Sequence, residues 1–269
     1  MERNLTQAHL TLTLTRLTTV RILRRKSTWF LLLVGLLPCA TGILWILNQV
    51  VPDMRMTIKP YSMFNSVQSL YFHTFYLPMV AIFLGLGTLN DEIETKNITF
   101  TLVRPLSRLS IAVGRYFGHL GAACALVILT LGANYAANML FQVESILDKL
   151  PNLLNGLFIM CCAMAAYMGV VAALGTWFKK FAILGSIMWV VVDHLFAMVP
   201  VDTLRAMSIK YKLLAGYWET LPQFMFSGTV TQSSAFLNGG ACVLVGIACC
   251  GLIAYRLYAT EIVLSDNSA

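Results

Sequence analysis

The sequence predicts an all-α integral membrane protein with six transmembrane helices, and three observations predict it. The 269 residues are 58% hydrophobic and 12% charged, against about 25% charged in a soluble domain, and mean hydropathy is +0.74. Six windows reach the roughly 20 apolar residues that cross about 30 Å of hydrocarbon as a helix: 28–50, 70–90, 116–143, 153–178, 181–201 and 235–255. Asp193 is the one Asp, Glu, Lys or Arg in all six, in keeping with the roughly 2.5–3.5 kcal/mol penalty on a charge at the bilayer centre. Barrel strands are excluded, because they alternate with period two over about 10 residues.

Taken in order, residues 1–27 precede the first span. Arg16, Arg21, Arg24, Arg25 and Lys26 alternate there with Leu17, Val20, Ile22 and Leu23, the pattern of an interfacial helix on an anionic membrane surface. The alternation of Leu10, Leu12 and Leu14 with threonines reads equally as an extended segment. No cleavable signal peptide is expected, because the first apolar run starts near Thr28, is too long and lacks a small-residue cleavage site. Pro52 and Pro60 are expected to break the loop after the first span, and 144–151 reads as a short loop after the third. Lys179–Lys180 makes a tight hairpin between spans four and five. Residues 202–234 are too apolar for a solvated loop and too interrupted by Gly216, Pro222 and Gly228 to span. They predict a pair of short interfacial or re-entrant helices, with Tyr217 and Trp218 as headgroup anchors.

With the N-terminus in the cytoplasm, 13 of the 19 basic residues fall on the inner side. The positive-inside rule therefore puts both termini in the cytoplasm. The net charge of +7 is explained by that bias, and no soluble basic face suits nucleic acid. All seven cysteines lie inside predicted spans. This argues for small apolar packing residues rather than a disulfide framework. No Gly-rich phosphate loop, no His-Glu-x-x-His and no second acidic cluster occurs. No catalytic residue, metal site or cofactor is therefore assigned to this chain, and any nucleotide energy must come from a partner.

Charge is concentrated instead in 91–115, DEIETKNITFTLVRPLSRLSIAVGR. Asp91, Glu92 and Glu94 suit the positive end of a short helix, and Glu92 to Lys96 allows an i,i+4 pair. Ile98, Phe100, Leu102 and Val103 give apolar faces, Pro105 ends the run, and Gly114 and Gly118 permit close helix packing as span three begins.

This block resembles the first cytoplasmic loop of the type-2 ABC transporter permeases. In that family a Glu, a short polar turn and an apolar stretch lead to Pro-x-Ser-Arg and a Gly-Lys. Glu92 stands at the family Glu, and Pro105, Ser107 and Arg108 match Pro-x-Ser-Arg. Lys96–Asn97 and Gly114–Arg115 depart mildly from the usual pairs. The resemblance implies a half-transporter of the inner (plasma) membrane that pairs with a second copy or a homologous permease. Two ATPase subunits would dock beneath and carry the ATP and Mg. Residues 91–115 would be the coupling region, with Glu92, Glu94, Phe100, Leu102, Arg104, Pro105, Ser107, Arg108 and Arg115 as its contacts. Export is implied by the family alone, and some members serve copper-enzyme maturation.

Asp193–His194 is the odd pair of the fifth span. Asp193 lies about 11 Å from the outer end at about 1.5 Å per residue to Pro200. It reads either as a structural hydrogen bond, for instance to His119, Asn134 or Asn138, or as a polar group on the translocation path. A membrane-embedded enzyme acting on lipid or isoprenoid groups is the competing class, but it would need a second acidic cluster.

Overall fold

The computed structural model describes residues 2–42, 60–88, 107–140, 146–178, 181–217 and 233–266. Among the described residues the chain is all-helical and contains no strand. The helices are α1 (Glu2–Leu23), α2 (Lys26–Leu36, extended as an apolar helical run to Gly42), α3 (Pro60–Leu86), α4 (Arg108–Met139), α5 (Ile146–Phe178), α6 (Ala182–Met198), α7 (Asp202–Met207), α8 (Ile209–Gly216) and α9 (Ala235–Asp266).

Four of these helices, α3, α4, α5 and α9, are long and apolar enough to cross a membrane, with apolar stretches of 25 to 33 residues. At 1.5 Å per residue each exceeds about 30 Å. The α2 run and α6 are apolar but shorter. The 17 residues of α6 reach only about 25 Å. Residues 43–50, the last third of the predicted first span, lie outside the described residues.

Helix α5 is the hub, touching α3, α4, α6, α8 and α9. Two thirds of its most apolar window is buried. Its seam with α9 is built from small residues. A Cβ at Gly169 would meet Cys249 and Gly246, and one at Gly246 would meet the Ala165 carbonyl at 2.8 Å. Small side chains let backbones approach in this way where lipid supplies no hydrophobic drive. Tyr116 ties α4 into the seam by donating to the Ala165 carbonyl at 2.6 Å.

Residues 2–23 are helical, not extended, and α1 lies along α4. Thr11, Thr15 and Thr19 each donate to the carbonyl four residues back, which lets hydroxyls sit in a helix without competing partners. Thr19 also reaches the Gly118 carbonyl at 3.0 Å. Gly114 and Gly118 are the packing glycines expected, and what they admit is α1. A Cβ at Gly114 would meet Leu14, and one at Gly118 would meet Thr18 at 2.6 Å.

Several boundaries differ from expectation. Pro60 opens α3 instead of breaking the chain, because a proline in the first turn gives up only an N–H that no helical carbonyl needs. Residues 146–151 belong to α5, and α4 starts at Arg108, eight residues before the predicted span. Within α3, Gln68–Tyr76 winds as a π-helix, and the Leu77 N–H reaches the Phe72 carbonyl five residues back. The expected pair of short helices is present as α7 and α8. Trp218 lies outside the described residues. Tyr217 is no headgroup anchor: it is fully buried, and its hydroxyl donates to Gln68 Oε1 at 3.0 Å. A phenol that finds an internal acceptor loses its reason to sit at the interface.

Candidate functional site

Asp193 sits on α6 and is 4% exposed. Its carboxylate accepts the Ile209 N–H at 2.7 Å and the Lys210 N–H at 3.1 Å. The Tyr167 hydroxyl of α5 donates to Oδ2 at 2.8 Å. The first N–H groups of a helix have no internal partner and carry the positive end of its dipole. Asp193 thus caps α8 across space. Ser208 completes the cap by accepting the Tyr211 N–H at 3.1 Å and donating to the Asp193 carbonyl at 3.0 Å. Of the two readings of Asp193, the geometry is that of a satisfied structural carboxylate, but its partners are not those expected. His119 Nδ1 lies against the Arg115 carbonyl, while Asn138 donates to the Asn134 carbonyl and accepts from the Thr41 hydroxyl.

His194 links α6 to α3. Its Nδ1 lies 2.9 Å from the Val190 carbonyl and its Nε2 lies 3.0 Å from the Thr74 carbonyl. Pro78, four residues after Thr74, has no N–H to offer that carbonyl, so an imidazole donor fits there. Asp193 and His194 together pin one half of α6 to α3, α5 and α8.

The clasp includes residues that the sequence did not single out. Tyr167, Ser208 and Lys210 belong to it. Lys210, on α8 outside the predicted spans, is 2% exposed. Burial pushes its ammonium down to about 8, against the opposing pull of the Asp193 carboxylate. Deeper along the π-helical turn, His73 packs edge-on to Tyr217 at 5.7 Å, and neither of its ring nitrogens has a hydrogen-bond partner among the described residues. Ser208 three residues before Tyr211 is a readable capping signal; the others carry none.

Beyond the clasp α6 parts from α3. A cavity of about 600 Å³ opens between them. Phe75, Met79 and Phe83 line it on α3, and Ile183, Ile187 and Val191 line it on α6. Both sets follow the four-residue spacing of one helix face. Thr74 lies at the clasp end, and Arg25 lines the other end beside Leu86 and Gly87. That placement follows from the register of α2 on α3, in which Tyr71 donates to the Val34 carbonyl and Tyr76 to the Leu31 carbonyl.

Of the expected coupling residues, Glu92, Glu94, Phe100, Leu102, Arg104 and Pro105 lie outside the described residues. Ser107 caps α4, accepting the Ser110 N–H at 3.1 Å, and its own N–H reaches Gln7 Oε1 of α1 at 3.5 Å. The Arg108 guanidinium stands 5.2 Å from the Tyr258 ring centre on α9. Arg115 lies two turns along α4 from Arg108. Ser107, Arg108 and Arg115 therefore all lie in the first three turns of α4. Among the described residues no three His, Cys, Asp or Glu side chains gather as a metal site, and the seven cysteines are free. No protein-family model matches the chain, and no curated protein matches its sequence.

Proposed function

We propose that this chain is the membrane half of an ATP-driven transporter of the type-2 ABC permease kind, working as an exporter with ATP hydrolysed by a separate pair of subunits. The observation that carries the reading is how α4 begins. The Pro-x-Ser-Arg element of the resemblance runs directly into a capped helix end. That end is braced on α1 through Gln7 and on α9 through Tyr258. Force arriving at 91–106 would therefore enter three helices at once rather than a slack loop.

The α6 geometry suits the other end of such a movement. A helix pinned by Asp193 and His194 and parted from α3 at its far end is a lever with a fixed pivot, and rocking it widens or closes the groove. In this reading α2 and α6 cross the bilayer with the four longer helices, both termini face the cytoplasm, and the Arg25 end of the groove lies at the inner leaflet. The exposed stripe of Leu184, Met188, Val192 and Leu195 on α6 offers a second copy a face adjacent to the groove.

The test is the double variant Glu92→Ala, Arg108→Ala in the intact complex. Transport falls by roughly tenfold or more while ATP hydrolysis persists, within the 1–3 kcal/mol typical of coupling between sites. Tyr258→Leu, which removes the brace of the α4 start on α9, lowers transport by less than the double variant does. Normal transport in the double variant would end the coupling assignment.

A further inference from the structure

We infer that the π-helical turn of α3 holds a bound water inside the helical bundle, hydrogen-bonded by His73 and Gln68. The inference uses neither an ATPase partner nor a transported substrate.

The turn is where α3 departs from ordinary helix. Gln68–Tyr76 winds as a π-helix just ahead of Pro78. A proline removes one N–H and crowds the carbonyl four residues back, and apolar spans absorb that by changing their winding or by taking in ordered water. Windings of this kind are rare and recur at functional sites. The side chains supply an independent observation. Gln68 and His73 are both 0% exposed. The Gln68 amide nitrogen and both His73 ring nitrogens have no hydrogen-bond partner among the described residues. Buried polar atoms are nearly always bonded, to protein or to ordered water, so three exceptions on one turn call for a ligand.

Tyr217 brings these atoms to one place. Its hydroxyl donates to Gln68 Oε1 at 3.0 Å, and its ring stands edge-on to His73 at 5.7 Å. Gln68 and His73 are five residues apart, the interval that π-helical hydrogen bonding spans, so both meet the same ring. Gly156 of α5 leaves room for the amide, because a Cβ there would run into Gln68 Nε2. Chemistry then selects the ligand. The amide nitrogen only donates, and a neutral imidazole has one donor and one acceptor. Asn65 Oδ1, three residues before Gln68, is also buried without a partner among the described residues, and it only accepts. An anion would leave the acceptors unserved. A metal ion would face the amide N–H groups, and the nearby Lys210 charge already acts on His73. Water donates and accepts at once, and it settles where two to four polar groups converge on roughly 30 Å³. Thr74, whose carbonyl meets His194, lies in the same turn. The hydrated turn therefore also carries the pin that holds α6.

The full chain, carrying isotopically labelled histidine and reconstituted in liposomes, is studied by solid-state NMR with polarisation transferred from water. The His73 ring is assigned as the signal missing from His73→Phe. It is expected to show both nitrogens hydrogen-bonded and to take up water polarisation in spite of its burial. Gln68→Leu lowers that transfer about twofold or more, because the water loses one of its few partners. The His194 ring, set against two carbonyls, keeps its shifts in the same variant. Absence of water transfer to His73 in the unmodified chain would overturn the inference, whether its nitrogens prove unbonded or bonded to protein. Transfer that Gln68→Leu leaves unchanged would overturn it too. If Gln68→Leu does not fold, the unmodified chain decides alone. None of these outcomes alters the coupling test at Glu92 and Arg108, so the two claims fail separately.

Discussion

Asp193 shows how much one side chain can hold. Its removal as Asp193→Ala leaves two backbone N–H groups and the Tyr167 hydroxyl without their acceptor. Each unsatisfied buried donor costs about 1–3 kcal/mol, so the variant loses about 3 kcal/mol or more in denaturant unfolding of the purified protein. Asp193→Asn keeps one acceptor oxygen and loses about half as much. Equal losses in the two variants would contradict a capping role. Lys210 adds a pH signature. Its ammonium releases its proton near 8 in the folded protein, against 10.5 when free. Above pH 8 the unfolded chain still holds the proton that the folded chain has lost, so stability rises with pH until the free value is passed. Lys210→Met abolishes that rise in a pH series of unfolding midpoints. The charge in the fifth predicted span was legible, because a carboxylate stands out in an apolar run. Its partners were not, because Tyr167 lies 26 positions away and Ile209 lies 16.

Helices α1 and α4 make the argument at the next scale. Thr18 approaches where a side chain at Gly118 would stand, so Gly118→Leu overpacks the contact at a cost of about 1–3 kcal/mol. The same change speeds hydrogen exchange across α1 while α5 stays protected. Gly132, on the same helix, has nothing within 4 Å of an added Cβ. Gly132→Ala therefore leaves α1 unaffected and stabilises by about 0.5–1 kcal/mol. Loss of α1 protection in both variants would mean that the glycine seam does not hold it. Helix cores were readable because an apolar run of this length has few other ways to fold. Ends were not. Pro60 works as an opener only once a helix follows it, and α4 begins at Arg108 because Ser107 caps it, a choice that hydropathy does not register. Tyr217 was misjudged for the same reason: Gln68 offers an acceptor 149 positions earlier.

At the scale of the molecule, the chain is a helical bundle around α5, clasped at one end of α6 and open at the other. The four long apolar helices were written in composition, but the groove was not, since it exists only where two apolar faces fail to meet. The pinned half of α6 and the capped start of α4 are the features that the transporter reading uses. The most direct measurement places a photo-cross-linking residue at Ser107 in the full chain, in native membranes. The account predicts adducts to an ATP-binding subunit and labelling of that position from the cytoplasmic side only. Adducts confined to lipid, or labelling of the same position from the outer face of sealed cells, would contradict it.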